Sequence, residues 1–219
     1  MIRLEGVSKS YAVPGGRHVI LDDVSFELPP LSRIGIFGVN GAGKSALLRL
    51  IAGSEMPDRG RIVREGRISF PVGFTGTFHP HLSARENVAF LARIYGMNHD
   101  EVSAWIEEFA ELDRYFDMPV GTYSSGMFAR IAVATSFAFD FDLYLVDEVI
   151  EVGDVAFRRK CAAAFGERMH AASLILVSQH VETIRQYCTL GAVLHRGKLS
   201  DFTTIDEALE TYERSLRAT

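Results

Sequence analysis

Apolar and polar residues alternate along Ile2-Arg3-Leu4 and again along Val24-Ser25-Phe26-Glu27-Leu28. Each run predicts a half-buried strand, with Pro14-Gly15-Gly16 as a turn between them. Arg33-Ile34-Gly35-Ile36-Phe37 is a short apolar run that ends at Gly38. A glycine-rich stretch then leads into Ser45-Ala46-Leu47-Leu48-Arg49-Leu50-Ile51, so the order is strand, loop, helix. Gly60-Arg61-Ile62-Val63 and Arg67-Ile68-Ser69-Phe70 read as another strand pair. From about Ser83 to Arg114 the period becomes helical: Val88, Leu91, Ala92 and Tyr95 share one face, and Val102, Trp105, Ile106 and Phe109 repeat the pattern. Ser83 precedes Glu86 by three positions, the spacing of a capping box. A further helix follows Gly126, and Phe141–Val146, Leu174–Val177 and Ala192–Leu194 read as buried strands. Strands alternating with helices predict an α/β fold with a mostly parallel sheet covered on both faces.

Composition narrows the class of partner. The chain has 219 residues, 47% hydrophobic and 23% charged, the balance of a folded protein long enough to bury a sizeable core. Its formal net charge of -5 gives no electrostatic footprint for nucleic acid. The two cysteines, Cys161 and Cys188, belong to no metal-binding cluster and read as reduced core thiols. No run is long and apolar enough to span a membrane, and Met1-Ile2-Arg3-Leu4-Glu5 does not open a secretion signal. The expectation is a cytoplasmic chain, so any membrane process it serves needs spans from another chain.

Chemistry enters with Gly38-Val39-Asn40-Gly41-Ala42-Gly43-Lys44-Ser45, which fits G-x-x-x-x-G-K-[ST] between a strand and a helix. Glycines let the backbone wrap phosphates closely, and the helix N-terminus supplies positive potential. Lys44 is expected to reach the β- and γ-phosphates of ATP, and Ser45 to hold Mg²⁺. Leu143-Tyr144-Leu145-Val146-Asp147-Glu148 places two carboxylates at the end of a buried strand, where this topology brings them beside the phosphate loop. Asp147 then belongs to the magnesium shell, and Glu148 orients or deprotonates the attacking water.

Tyr123-Ser124-Ser125-Gly126-Met127 stands about twenty residues before the second motif and opens a helix. It resembles the signature of ABC-type ATPases, usually Leu-Ser-Gly-Gly-Gln, and departs from it at Tyr123, Ser125 and Met127. This form looks like the ATPases that export capsular polysaccharide, O-antigen and teichoic acid. Arg85-Glu86-Asn87-Val88, Ala92-Arg93-Ile94-Tyr95-Gly96, Asp147-Glu148-Val149-Ile150-Glu151-Val152-Gly153-Asp154 and Phe157-Arg158-Arg159-Lys160 agree with it, so the resemblance covers essentially the whole chain. About forty residues follow the last motif, too few for the carbohydrate-binding domain that marks one O-antigen branch, which favours the capsule branch.

The resemblance implies one nucleotide-binding domain over 1–219: a RecA-like P-loop core, a small antiparallel β lobe and a helical lobe over about 78–135. It implies a head-to-tail homodimer in which Ser124, Ser125 and Gly126 of one subunit close over ATP bound to the other. It also implies a membrane permease, further periplasmic or outer-membrane export components, and a place on the cytoplasmic face of the inner membrane. Tyr11 stands where the family stacks an aromatic on adenine, though by itself Ser10-Tyr11-Ala12 reads as a surface turn. Asp154 resembles an aspartate that crosses the dimer interface, and equally reads as an N-cap before Val155-Ala156-Phe157. The family's glutamine after the strand near Phe70 is missing, and His79 reads as a surface loop residue rather than its substitute. After Val177-Ser178, either Gln179 or His180 is the γ-phosphate switch, with His180 favoured. A soluble P-loop kinase is the competing class, but it would lack Ser124-Ser125-Gly126. A non-transport ABC protein would carry coiled-coil insertions or a second cassette, and the chain has neither.

Overall fold

Pro14 and Gly15, the latter with φ 89°, reverse the chain between two long strands. β1 (Ile2–Val13) and β2 (Gly16–Leu28) pair antiparallel, from Ile2↔Leu28 to Val13↔Gly16. The computed structural model describes residues 2–73, 76, 78–148 and 153–217. Both strands run further than their alternating segments predicted, because bulges along β1 shift the register and break the period.

The strands after the hairpin form a second sheet. Its members are β3 (Arg33–Phe37), β5 (Ile68–Val72), β6 (Leu143–Asp147), β7 (Ser173–Val177), β8 (Leu190–His195) and β9 (Lys198–Leu199), in the order β5-β6-β7-β3-β8-β9. β3 is parallel to β7 and β8, β6 is parallel to β7, and β9 turns back antiparallel on β8. The strand pair expected over 60–70 does not form. β4 (Arg59–Arg64) pairs with β1 in the antiparallel sheet, while β5 lies beside β6. Gly66, with φ 93°, stands between them, and the Arg67 N–H donates to Asp142 Oδ2 at 2.7 Å instead of to a hairpin partner.

The register of the parallel strands sets where chemistry can occur. Ile36 of β3 faces Val177 of β7, and Val177 in turn faces Asp147 of β6. The carboxyl ends of three strands therefore stand in one row, each leading into a segment that carries a polar motif. Open parallel sheets bind ligands at such ends. Ile34, Ile36, Leu145, Ile175 and Val177 form the buried layer beneath them. α1 (Lys44–Ala52) packs Leu47, Leu48, Leu50 and Ile51 into the same core. Each such side chain contributes about 1.5–3 kcal/mol by leaving water. α6 (Val181–Tyr187) and α7 (Ile205–Arg217) follow β7 and β9, and Tyr212 of α7 stacks on Phe37 with ring centroids 5.8 Å apart.

These elements make one compact unit of Met1–Pro71, Phe141–Glu148 and Ala171–Thr219. A second unit, Val72–Asp140 and Val149–His170, is helical. It holds α2 (Ala84–Ile94), α3 (His99–Ala110), α4 (Ser125–Ala138) and α5 (Val155–Arg168). The Ser83–Glu86 capping box starts α2 as its spacing predicted: each residue's side chain accepts the other's backbone N–H. The unit is larger than the stretch 78–135, because α5 packs Phe157 and Phe165 against Phe109 and Phe137, each ring pair 5.8 Å apart. Among the described residues no helix is long and apolar enough to cross a membrane.

Candidate functional site

The phosphate loop leaves β3 at Gly38 and becomes α1 at Lys44. Two glycines have steric reasons to be there. A Cβ on Gly38 would come within 2.8 Å of the Leu194 carbonyl oxygen, and Gly43 caps α1 at φ 102°, where other residues are strained. Lys44 is only 7% exposed, and its ammonium donates to the carbonyls of Gly38 at 2.7 Å and Val39 at 3.2 Å. Burial lowers its pKa, while the nearby carboxylates of Glu148 and Asp147 pull it back up. The loop therefore holds a cation in place, with two acidic groups close by.

Those groups sit at the end of β6. Asp147 is half-buried, and Glu148 turns out of the strand with φ 59°, the left-handed region that a non-glycine residue enters only at a cost. Its N–H donates to Val177 O at 3.0 Å, which ties the turn to β7. Lys44, Ser45, Asp147 and Glu148 line one cleft of about 280 Å³, together with Asn40 and Tyr11. The hydroxyl of Ser45 and the carboxylate of Asp147 are the hard oxygen ligands that a magnesium ion takes.

Tyr11 reaches the cleft from β1. Its hydroxyl donates to Glu55 Oε1 at 2.6 Å and accepts from Arg49 Nη2 at 3.1 Å, so the ring's tilt is fixed from behind. The sequence reading missed Arg49. It lies one helical turn after Ser45 on α1, lines the same cleft and bridges Tyr11 to Glu55, and that i, i+4 spacing is the signal that could have found it.

Gln179 and His180 separate. Ser178 is fully buried and its hydroxyl accepts the His180 N–H at 3.0 Å, closing a local turn after β7. Gln179 then points at the cleft: its Nε2 donates to Asn40 Oδ1 at 2.7 Å and to Glu148 Oε1 at 3.0 Å. His180, the favoured candidate, is the exposed residue that begins α6, and no side-chain hydrogen bond joins it to Glu148 among the described residues. The contact made at Glu148 is the glutamine's.

The signature residues belong to the helical unit. Ser124 is the N-cap of α4, its Oγ accepting the Met127 N–H at 3.3 Å. Ser125 and Gly126 form an exposed first turn, and a Cβ on Gly126 would meet nothing. Asp154 adopts the capping role: Oδ1 accepts the Phe157 N–H at 2.9 Å, and Oδ2 pairs with Arg130 at 2.8 Å. Val149, Ile150, Glu151 and Val152 lie outside the described residues, as do Phe74, Thr75 and Thr77 in the glutamine-free stretch. His79 is exposed, with its ring beside His81 and its N–H bonded to Asn87, as a surface loop residue would be.

Comparison with known proteins agrees with this geometry. Residues 21–151 match the ABC transporter family. The chain is 42% identical to the polysialic acid transport ATP-binding protein KpsT of Escherichia coli, over 99% of this chain and all of that one. It is 46% identical to the capsule polysaccharide export ATP-binding protein CtrD of Neisseria meningitidis serogroup B, over 97% and 98% of the two chains. In fold it resembles a dimeric ATP-binding cassette bound to ADP and Pi, with a TM-score of 0.78, 19% identity, and coverage of 94% of this chain and 99% of that one. A phosphate loop at the end of β3, paired carboxylates at the end of β6 and near-complete coverage by such relatives lead to one conclusion: the chain belongs to the ABC transporter family.

Proposed function

We propose that the chain binds and hydrolyses ATP as the energy-supplying subunit of an exporter for lipid-linked capsular polysaccharide. The observation that carries this reading is the convergence of Lys44, Ser45, Asp147, Glu148 and Gln179 at the carboxyl ends of β3, β6 and β7. The names of KpsT and CtrD support the cargo class.

The roles follow from charge and position. The loop from Gly38 through Val39, Asn40, Gly41, Ala42 and Gly43 offers backbone N–H groups to the phosphates, and Lys44 adds a cation near the β- and γ-phosphates. Tyr11 offers its ring to adenine, with the hydroxyl held on the far side by Glu55. Ser45 and Asp147 hold Mg²⁺, whose charge offsets that of the phosphate oxygens. Glu148 orients and deprotonates a water for in-line attack on the γ-phosphate. Ser124, Ser125 and Gly126 of a second copy complete the site in a head-to-tail homodimer, the N-terminus of α4 facing the anion. Closure on ATP and reopening after hydrolysis move a separate permease, which keeps this subunit at the cytoplasmic face of the membrane. Periplasmic and outer-membrane components carry the cargo onward.

The test is export in cells lacking the native gene. Wild-type chain restores surface polysaccharide and co-purifies with the permease from detergent-solubilised membranes. ATPase activity without either result removes the exporter reading.

A further inference from the structure

An aromatic ring gains most from stacking on a base when its plane is already set, because ordering it on binding costs free energy. Tyr11 stands where its scaffold is thin. β1 pairs with β2 through Tyr11↔His18 and on to the turn, but its pairing with β4 ends at Ser8↔Arg59. The ring therefore belongs to a two-stranded hairpin, which is marginally stable on its own. What stands in for the third strand is Glu55, in the turn between α1 and β4.

Glu55 is held twice by Arg49. The Arg49 carbonyl accepts the N–H of Ser54 at 3.1 Å and that of Glu55 at 3.3 Å, and Arg49 Nε donates to Glu55 Oε2 at 3.1 Å. The other carboxylate oxygen, Oε1, accepts from the Tyr11 hydroxyl at 2.6 Å and lies 3.2 Å from the Lys9 ammonium. Arg49 Nη2 donates to the same hydroxyl at 3.1 Å. A tyrosine hydroxyl has one hydrogen to give, and here Glu55 receives it. Phenolic hydrogen bonds favour the plane of the ring, so one donated and one accepted bond hold that plane as well as the side-chain axis. The Lys9 ammonium lies 5.6 Å from the centroid of the ring. The side chains of Lys9 and Glu55 are only 13% and 18% exposed, so water screens this cluster less than an open surface pair. Arg49 follows Lys44 by five residues on α1, about 7.5 Å along the axis. One helix thus carries the phosphate-loop cation at its start and the brace of the ring near its end.

We propose that Glu55, held by Arg49, is a positioning residue, whose carboxylate sets the Tyr11 ring at a fixed place relative to the phosphate loop, so that the base and the phosphates of one nucleotide are met together. This rests on the role assigned to Tyr11 above. Among the described residues that line the cleft are Tyr11 and Arg49 but not Glu55, so the effect of Glu55 passes through the ring. The brace strengthens the hold on the base and leaves the phosphate contacts as they are. An ion pair that merely stabilised the fold would not separate the two.

The test measures, by calorimetric titration, the Kd of a non-hydrolysable ATP analogue and of inorganic tripolyphosphate, each with Mg²⁺. Tripolyphosphate offers the phosphates without the base. The proteins are wild type, Tyr11→Ala, Tyr11→Phe, Glu55→Ala and the Tyr11→Phe, Glu55→Ala double variant. Tyr11→Phe keeps the ring and removes only the hydroxyl, so it asks the question with no charge lost from the fold. Circular dichroism melting confirms that each variant is folded. Glu55→Ala and Tyr11→Phe are each expected to weaken binding of the analogue about fivefold and that of tripolyphosphate less than about twofold. The double variant should bind the analogue no more weakly than Glu55→Ala alone, because both changes break the same bond. Equal losses for the two probes in Glu55→Ala overturn the proposal, as do multiplicative losses in the double variant or wild-type affinity in Tyr11→Phe. If Tyr11→Ala leaves binding of the analogue unchanged, the stacking role of Tyr11 fails first and the brace loses its purpose. If Tyr11→Ala weakens it and Glu55→Ala does not, only the positioning role fails.

Discussion

The ammonium of Lys44 lies 2.7 Å from the carbonyl oxygen of Gly38, so the lysine is bound to the loop it serves. The same bond braces the turn after β3 and holds a buried cation above the start of α1. Lys44→Ala removes that cation and leaves two loop carbonyls without a donor. Affinity for MgATP should fall at least tenfold, about 1.4 kcal/mol, with export lost. Calorimetric titration measures it, and unchanged affinity would show that the loop is not the phosphate site.

Glu148 at φ 59° makes a second prediction. A left-handed backbone costs a non-glycine residue about 1–2 kcal/mol, and a β-branched side chain more. Glu148→Gly should therefore cost no stability, whereas Glu148→Val should unfold at lower denaturant. Both should lose turnover. A glycine variant less stable than wild type would mean that the turn is held by the glutamate side chain rather than strained by its backbone.

The helical unit should weaken in acid. Asp154 is held below the usual aspartate range first by the Phe157 N–H, and Glu111 below the glutamate range first by its hydrogen bond from Lys160. Both bind protons less tightly in the folded chain than in the unfolded one. Their contribution is complete above the unfolded values, about 4, and disappears as pH falls through the lower folded values. Melting temperature from about pH 7 to about pH 3 should fall more steeply for wild type than for the Asp154→Asn, Glu111→Gln double variant. Equal slopes would uncouple these two groups from stability.

Burial pushes the thiol of Cys161 up to about 11 and that of Cys188 up to about 12. Thiolate is the reactive form, so neither cysteine should react with an aromatic disulfide reagent at neutral pH until the chain unfolds. Rapid labelling of the folded protein would contradict their burial.

Much of this was legible because local spacing carried it. The strand, loop and helix around Gly38–Ser45, the Ser83–Glu86 capping box and the capping alternative for Asp154 each involve residues within one or two turns of each other. What stayed hidden depends on distant partners. Nothing between Gly60 and Phe70 says that β4 goes to β1 and β5 to β6, since the two short runs on either side of Gly66 would equally make a hairpin. Period-2 geometry says that Gln179 and His180 face opposite ways, yet only the positions of Asn40 and Glu148 say which one faces the cleft. The turn that buried Ser178 closes onto the His180 N–H accompanies that direction and is as invisible in the local spacing.

The place of β3 in its sheet has a consequence for biosynthesis. Ile36 meets Val177 on one side and Ala192 on the other, partners that leave the ribosome long after β3 does. Through most of translation this apolar strand has two open edges, and such edges invite pairing with other chains. Folding of the first unit must await the last part of the chain, and long-range pairing of this kind is slow. Chaperone demand should thus peak late in synthesis. The nucleotide cleft, made from the ends of the same strands, forms only when that wait is over.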